Sequence, residues 1–126
     1  MYYRLPITMT DTVRDILLAF VRVHVLHHAV VERVYGAGMA EELARHGYKL
    51  SPGTLYPLLH RLEKDGLLVS EPEVVSGKVR KYYVATAKGR QALKAVQPRL
   101  AELVDEALPE NYADVTRPRQ RSKPRR

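Results

Sequence analysis

The 126-residue chain contains no cysteine. Disulfide bonds, thiolate metal sites and a cysteine nucleophile are therefore excluded. It also lacks an apolar run of about 20 residues, the length that a membrane-spanning helix requires. The first ten residues have neither the basic nor the apolar part of a secretory signal, so we expect a cytoplasmic protein without a membrane partner. A chain of this length can bury the core of one domain without cross-links.

Residue sets that would indicate an enzyme are missing as well. The sequence has no glycine-rich phosphate loop, and no acid stands at a suitable spacing from a histidine and a nucleophile. We therefore expect a protein that binds a partner rather than one that catalyses a reaction.

The chain carries more positive than negative charge, and these charges are distributed unevenly along it. The net charge of +7 rests on 21 basic and 14 acidic residues, which become 15 and 14 when the last eleven residues are left out. Segments 45–61 and 76–90 contain three and five basic residues and no acid, whereas segment 91–115 contains two basic and five acidic residues. This asymmetry is typical of a protein with one side that faces a polyanion and another that is remote from it.

Segment 50–68, LSPGTLYPLLHRLEKDGLL, has the features of a capped helix. Ser51 is typical of an N-cap, Pro52 of the first helical position and Gly66 of the residue that ends a helix. One buried face is predicted by leucines at steps of three and four residues: Leu55, Leu58, Leu59 and Leu62. The opposite face carries hydrogen-bond donors: Thr54, Tyr56, His60, Arg61 and Lys64. Such a helix can enter a major groove, about 12 Å wide, or it can be an ordinary solvated helix.

The flanking segments predict a helix-turn-helix followed by a hairpin. We expect a first helix over 11–34, a second over 39–46, and a stop at Gly47 before the capped helix. The β-rich runs 67–75 and 79–85 are joined by Ser76-Gly77-Lys78, which indicates a hairpin. Pro72 places the first run at a sheet edge or breaks it.

The hairpin is basic, and a basic hairpin beside a helix-turn-helix is a wing. Its cations Lys78, Arg80 and Lys81 are expected to contact phosphates, which fix register without reading sequence. One of the two neighbouring tyrosines, Tyr82 and Tyr83, is expected to pack inward and the other to face outward. The alternative is an ordinary basic hairpin without a nucleic-acid partner.

The first and last helices carry apolar faces that indicate a subunit interface. Thr86 is the expected N-cap of the last helix, which runs to about Leu108 with a kink near Pro98. A seam at steps of three and four residues is formed by Leu93, Val96, Leu100, Leu103 and Ala107. Phe20 and Val23 of the first helix are the expected partners of this seam across a homodimer. Packing within one chain is the alternative.

The first helix also contains three candidate metal ligands. His24, His28 and Glu32 are spaced four residues apart and therefore lie in one stripe, where they can bind zinc or a similar divalent ion. A closed site would need a further ligand from His46, His60 or a partner subunit. The alternative is that the histidines form hydrogen bonds or pack at an interface.

Segment 51–67 resembles the recognition helix of PadR-family transcriptional regulators, whose pattern is close to S-x-G-T-L-Y-P-x-L-x-x-L-E-x-x-G-L. The matching positions are Ser51, Gly53, Thr54, Leu55, Tyr56, Pro57, Leu59, Leu62, Glu63, Gly66 and Leu67. A weaker similarity extends over 34–93, with Ala37 and Gly38 in place of the aromatic and acidic residues common in the family. The resemblance implies a winged helix-turn-helix repressor that binds operator DNA as a homodimer and is often released by a small-molecule effector.

We therefore expect a mainly α fold with a small β-hairpin, in which a winged helix-turn-helix carries N- and C-terminal dimerisation helices. The expected parts are an N-terminal extension (1–10), the DNA-binding domain (11–85), the C-terminal dimerisation helix (86–110) and a basic disordered tail (111–126). The tail either adds non-specific DNA affinity or is inert.

The expected function is sequence-specific binding of double-stranded DNA by a homodimeric repressor on a palindromic operator. The predicted DNA contacts are Ser51, Pro52, Gly53, Thr54, Tyr56, His60, Arg61, Lys78, Arg80, Lys81 and Tyr82. Two alternatives stay open: a metal-responsive regulator that uses the His24, His28 and Glu32 stripe, and a winged-helix protein-interaction module without specific DNA binding.

Overall fold

The structure, a computed structural model, describes residues 10–110 and residue 112. Within them the elements are α1 (Asp11–Val31), β1 (Val34–Tyr35), α2 (Gly36–Arg45), α3 (Pro52–Lys64), β2 (Leu68–Val75), β3 (Lys78–Ala85) and α4 (Ala87–Ala107). This arrangement of four helices and a small antiparallel sheet confirms the predicted fold class. The predicted extension and basic tail lie outside the described residues, apart from Thr10 and Tyr112.

Helix α1 begins where the sequence predicts but ends three residues earlier. Thr10 is its N-cap, and the Thr10 hydroxyl accepts a hydrogen bond from the Val13 amide. The expected end at Val34 is wrong because Val34 and Tyr35 leave the helix and pair with Tyr83 and Tyr82. Strand β1 was therefore missed, since two residues carry no periodic signal.

Helix α2 starts at Gly36, three residues before the predicted start at Met39. The predicted start leaves Gly36 and Gly38 outside the helix, but both lie inside it. A Cβ at Gly36 would come within 2.5 Å of the Tyr56 ring, and one at Gly38 within 2.9 Å of the Tyr35 ring. Both glycines thus permit a tyrosine to pack against the helix. Gly47, with φ +90°, ends the turn after α2 as predicted.

The sheet has the order β1-β3-β2, so the proline-containing strand lies at an edge. Pro72 pairs opposite Lys81, and β2 continues through it without a break. Ser76 and Gly77 both have positive φ, which is the signature of the tight two-residue hairpin turn. The predicted hairpin is confirmed, with Lys78 already the first residue of β3.

The core lies behind α3. Its inward residues are all at most 5% exposed: Leu55, Leu58, Leu59 and Leu62. They belong to one cluster with Val21 and Val25 of α1, Met39 and Leu43 of α2, and Tyr83 of β3. Tyr83 is 1% exposed and Tyr82 is half-buried, which confirms that the neighbouring tyrosines face opposite ways. Helices α1 and α2 and strand β3 thus share the core into which the leucine face of α3 packs.

Glu63 connects the end of α3 to both strands of the hairpin. Its Oε2 accepts hydrogen bonds from the Ser70 amide (3.2 Å) and the Ser70 hydroxyl, and its Oε1 lies 3.4 Å from Lys81 Nζ. The Ser70 hydroxyl and, after it, Lys81 lower the pKa of Glu63 from its ordinary 4.5, although desolvation acts in the opposite direction. These contacts fix the angle between the hairpin and α3.

Helix α4 starts against the turn between α3 and β2. The Thr86 hydroxyl accepts a hydrogen bond from the Gly89 amide and donates one to the Gly66 carbonyl. The Thr86 amide donates to the Leu67 carbonyl. Gly89 is buried so close to this carbonyl that a Cβ would overlap its oxygen.

We expect Gly89→Ala to destabilise the protein by about 1–3 kcal/mol, the usual cost of overpacking, because the backbone oxygen of Leu67 cannot move aside. The measurement is the midpoint of urea unfolding at a fixed protein concentration. Gly53→Ala is the matched control, because the added Cβ meets only Ser51 Oγ at 3.8 Å. This second helical substitution should be neutral or stabilising by up to about 1 kcal/mol. Equal effects of the two substitutions would contradict the assigned packing of α4.

Glu63 also predicts a specific pH dependence of stability. Its pKa is lowered in the folded protein, so its contribution is present above pH 4.5 and is lost as the carboxylate is protonated at lower pH. Glu63→Gln should therefore reduce the loss of stability between pH 6 and pH 3, roughly the range in which this linkage acts. Unfolding by denaturant measures it, with Glu41→Gln on an exposed position of α2 as the control. If the free energy of unfolding falls with pH equally in the wild type, Glu63→Gln and Glu41→Gln, the Glu63 contacts do not stabilise the fold.

Candidate nucleic-acid interface

The predicted donor face of α3 is exposed because the opposite face is buried. The residues on it that solvent reaches freely are Ser51, Pro52, Gly53, Tyr56, His60 and Arg61, while Thr54 is half-buried. Residues one turn apart along this face are close enough to contact neighbouring base pairs or phosphates. The helix therefore presents a polar, uncovered surface of the width that a major groove admits.

An arginine of α1, which sequence reasoning missed, contacts the start of α3. Ser51 occupies the N-cap position, but its hydroxyl donates to Thr54 Oγ1 at 3.2 Å rather than accepting from a backbone amide. Arg14 of α1 donates from Nη2 to the same Thr54 oxygen at 3.4 Å. The sequence contains a weak signal for Arg14, since a cation near the start of a helix, here α1, is electrostatically unfavourable. The contact between Arg14 and Thr54, 40 positions further along the chain, is seen only in the folded structure.

Two of the predicted contacts on α3 have other partners in the protein. Tyr56 is 41% exposed, and its ring packs over Gly36 at the start of α2. Arg61 forms an ion pair with Asp65, Nε to Oδ2 3.2 Å, one turn further along the helix. Both remain at the surface, so each can exchange or share its partner with a phosphate. His60 lies between them, with its ring centroid 6.5 Å from that of Tyr56.

The cations of the hairpin differ in availability. Lys78 is exposed at the start of β3. Lys81 is paired with Glu63, and the Arg80 guanidinium stacks 4.0 Å over the Tyr35 ring and donates to the Tyr82 hydroxyl. The prediction treated all three as equivalent phosphate contacts. Among the described residues 10–110, Lys81 and Arg80 have partners and help to hold the hairpin, whereas Lys78 has no such contact.

Tyr82, predicted to contact DNA, lies in a cluster on the outer face of the sheet. Its ring meets the Tyr35 ring edge-on at 5.5 Å between centroids and lies 3.9 Å beneath the Arg33 guanidinium. Arg33 also forms an ion pair with Glu73 of β2. The cluster therefore joins β1 to both hairpin strands, and Tyr82 stabilises the hairpin through its contacts with Tyr35 and Arg33.

A groove of about 550 Å³ separates the hairpin from α3. Tyr56 and His60 line one side of it, and Lys78, Val79 and Arg80 line the other. Among the described residues that line this groove none is acidic. A basic groove beside an exposed helix can hold a phosphate backbone while the helix enters the neighbouring major groove.

The predicted interface residues fall into three groups. Leu93 is 6% exposed and belongs to the core of its own chain, which corrects its assignment to a subunit surface. Phe20, Val23 and Leu100 are half-buried and line a pocket of about 430 Å³ between α1 and α4, and Val96 is half-buried but is not part of the pocket wall. Leu103 and Ala107 are exposed, and Leu103 keeps 52% of its surface in solvent.

Three histidines converge between α1 and α2. His24 and His28 of α1 and His46 at the end of α2 place their ligand atoms within 4.8 Å of one another. Glu32, the third member of the predicted stripe, is the C-cap of α1 and lies outside this group, as does His60. The structure therefore groups the predicted ligands His24 and His28 with His46, one of the residues named for closing the site, and not with Glu32.

Burial and neighbouring charge lower the pKa of two of these histidines and so favour their neutral forms. Desolvation is the largest cause that lowers the pKa of His24 from 6.5, followed by the nearby His46 and His28. Desolvation also lowers the pKa of His28, against the opposite effect of Glu42. Glu42 Oε2 lies 3.5 Å from His46 Nε2. The neutral imidazole is the form that binds metal ions.

No helix among residues 10–110 is long and apolar enough to cross a membrane. The family model described as "Transcriptional regulator PadR-like family" matches residues 25–95. The chain is 56% identical over 95 residues to "Transcriptional regulator Rv3488" of Mycobacterium tuberculosis, a match that covers 75% of this chain and 89% of that protein.

Solved structures are similar as well. A PadR family regulator from Eggerthella lenta shares 36% identity with a TM-score of 0.63, over 77% of this chain and 89% of that one. A PadR-like regulator from Bacillus cereus shares 29% identity with a TM-score of 0.68, over 74% and 92%. These proteins are transcriptional regulators and not enzymes, as expected for this chain. A match over more than half of its length shows that the chain belongs to the PadR-like family of transcriptional regulators.

Proposed function

We propose that this regulator represses transcription as a homodimer on a palindromic operator and that a small effector releases it. The observation that carries the proposal is the exposed polar face of α3 beside a groove lined with cations and no acid. Family membership favours DNA binding over the alternative of a protein-interaction module. Two such faces, related by a dimer axis, would enter successive major grooves about 34 Å apart.

Within one half-site, the residues have separable roles. His60 and Arg61 point outward from the middle of α3 and are the candidates for contacts with base edges. Gly53 at the start of α3 allows close approach of a phosphate to the backbone. Arg14 and Lys78, at the two ends of the surface, are the candidates for phosphate contacts.

Dimerisation is supported by apolar side chains that one chain leaves uncovered. The second half of α4 exposes Leu103 and Val104, at 52% and 51% of their surfaces, and the C-cap Leu108 is 39% exposed. In α1, Val13 and Ile16 are 40% and 50% exposed. A second copy of the chain can cover these residues with the same two helices, as a twofold interface requires.

The pocket between α1 and α4 is the proposed effector site. Its volume of about 430 Å³ lies within the usual range of small-ligand pockets, and Phe20, Val23, Leu93 and Leu100 give it apolar walls. A ligand there that prefers one angle between the two helices would shift the spacing of the recognition helices. Operator affinity would then fall without any contact between effector and DNA.

The DNA contacts are tested by titrating the full chain against the region upstream of its own gene, with excess competitor DNA and at several salt concentrations. We expect competitor-resistant binding, and Arg14→Ala and Lys78→Ala should each reduce the slope of log K against log salt by about 0.9, the effect of one phosphate contact. Arg61→Ala should instead reduce the preference for operator over competitor by about 1–3 kcal/mol.

Lys94→Ala, on the exposed remote face of α4, is the control and should change neither quantity. A second control is a chain that ends at Asp114, which lacks the basic tail but retains α3 and the hairpin. Binding that disappears with competitor DNA or with the tail would support the interaction-module alternative instead.

The interface is tested by Leu103→Asp. Loss of one buried leucine costs about 1.5–3 kcal/mol, and a symmetric dimer contains two copies, so the dimer dissociation constant should rise by about 100-fold or more. Sedimentation equilibrium measures this constant. Ala101→Asp places the same charge on an exposed position about 200° around the helix and should leave the dimer intact. A monomeric wild type, or equal effects of both changes, would contradict the proposed interface.

A further inference from the structure

We propose that His24, His28 and His46, completed by Glu42, form a site for a divalent late transition metal such as zinc, which clamps α1 to the helix-turn-helix. The metal site stands on the geometry of the three histidines, with Glu42 beside His46. Its effect on operator affinity rests on the proposed function.

Each of the two helices contributes a pair of ligands one turn apart. His24 and His28 lie at i and i+4 on α1, and Glu42 and His46 lie at i and i+4 across the end of α2. Residues at this spacing share one helix face, so both ends of each pair can reach the same ion. The two faces oppose each other, since the His24 and His46 rings stack with centroids 4.6 Å apart.

The distances are those of a site that needs only side-chain adjustment to close. The three nitrogen ligands lie within 4.8 Å of one another. Two nitrogens bound at about 2.0–2.1 Å to a tetrahedral zinc ion are separated by about 3.4 Å. Small rotations about the side-chain bonds of His24, His28 and His46 cover the difference, and the backbone of the two helices can stay in place.

The fourth ligand is present and only weakly held elsewhere. Glu42 Oε2 lies 3.5 Å from His46 Nε2 and 3.7 Å from Arg45 Nε, so neither partner holds it at a short distance. A depression of about 180 Å³, lined by His28, Glu42 and Arg45, gives solvent and ions a path to this side of the cluster. Three imidazoles and one carboxylate form a nitrogen and oxygen set that suits zinc, cobalt, nickel or copper rather than calcium or magnesium.

The metal site lies between two helices whose relative position affects the recognition helix. α1 carries exposed residues of the proposed subunit interface, and α2 is the first helix of the helix-turn-helix. His24 also lines the pocket between α1 and α4. A metal ion that joins α1 to α2 would therefore set the orientation of α3 relative to the partner subunit, and operator affinity would depend on its presence.

The test uses the full chain, purified without a polyhistidine tag and stripped with a chelator. Calorimetric titration with Zn²⁺ and the visible spectrum with Co²⁺ are the two readouts. We expect one ion per chain, and His24→Ala, His28→Ala and His46→Ala should each weaken Zn²⁺ binding by about tenfold or more. Glu42→Gln should weaken it less and alter the Co²⁺ spectrum, because an oxygen ligand is replaced.

His27→Ala and Glu32→Gln are the matched controls, since both residues are exposed, lie beside the site on α1 and fall outside the cluster. They should bind Zn²⁺ as the wild type does. Absence of Zn²⁺ binding by the wild type would overturn the proposal. An equal loss of Zn²⁺ affinity in the two control variants would also overturn it, because the ion would then be bound by scattered surface residues. Circular dichroism of each metal-free variant verifies that it is folded.

A parallel operator titration separates this inference from the proposed function. We expect Zn²⁺ to change the operator affinity of the wild type at least about fivefold, the lower end of usual allosteric coupling, and to leave that of His24→Ala unchanged. An operator affinity that does not change with Zn²⁺ would refute the proposed effect of the metal on DNA binding and leave the repressor proposal intact. Zn²⁺ binding without any operator binding would refute the repressor proposal and retain the metal site.

Discussion

Burial of the leucine face of α3 is the constraint on which the rest of the surface depends. Leu55 and Leu59 are 1% and 0% exposed and lie in one cluster with Met39, Leu43 and Tyr83. Rotating the helix by one position would expose a leucine and bury a polar side chain, at a cost of several kcal/mol, roughly 1.5–3 for the leucine alone. Burial of the leucines therefore keeps the polar face of α3 directed outward.

Ion pairs within the protein determine which positive charges remain for a partner. Lys81 is held by Glu63, Arg80 by the Tyr35 ring and Tyr82, and Arg61 by Asp65. These contacts stiffen the junction between the hairpin and α3, so part of the positive charge stabilises the shape of the surface. The cations that are free for phosphates are therefore fewer than the 21 basic residues of the chain and lie at particular points.

Helix α1 connects the functional regions. It reaches the start of α3 through Arg14 and Thr54, packs beside α4 around the apolar pocket, and faces the end of α2 through His24 and His28. A shift of this one helix alters the recognition helix, the proposed subunit interface and the histidine cluster together. In such an arrangement, ligand binding, dimerisation and DNA affinity are linked through one rigid element rather than through a chain of side chains.

Local signals in the sequence determined the capped helix at 52–64, the hairpin, the apolar seam of the last helix and the family, because caps, turns and periodic leucines act within a few residues of one another. They could not determine the pairing of Val34 and Tyr35 with β3, the placement of Gly36 inside a helix, or the burial of Leu93. Each of these depends on a neighbour distant in the chain. The same reason explains the candidate sites. The spacing in the sequence places His24 and His28 on one helix face, but only the packing of α2 against α1 brings His46, rather than Glu32, to them. Likewise, only the packing of α1 beside α3 places Arg14 at the start of the recognition helix.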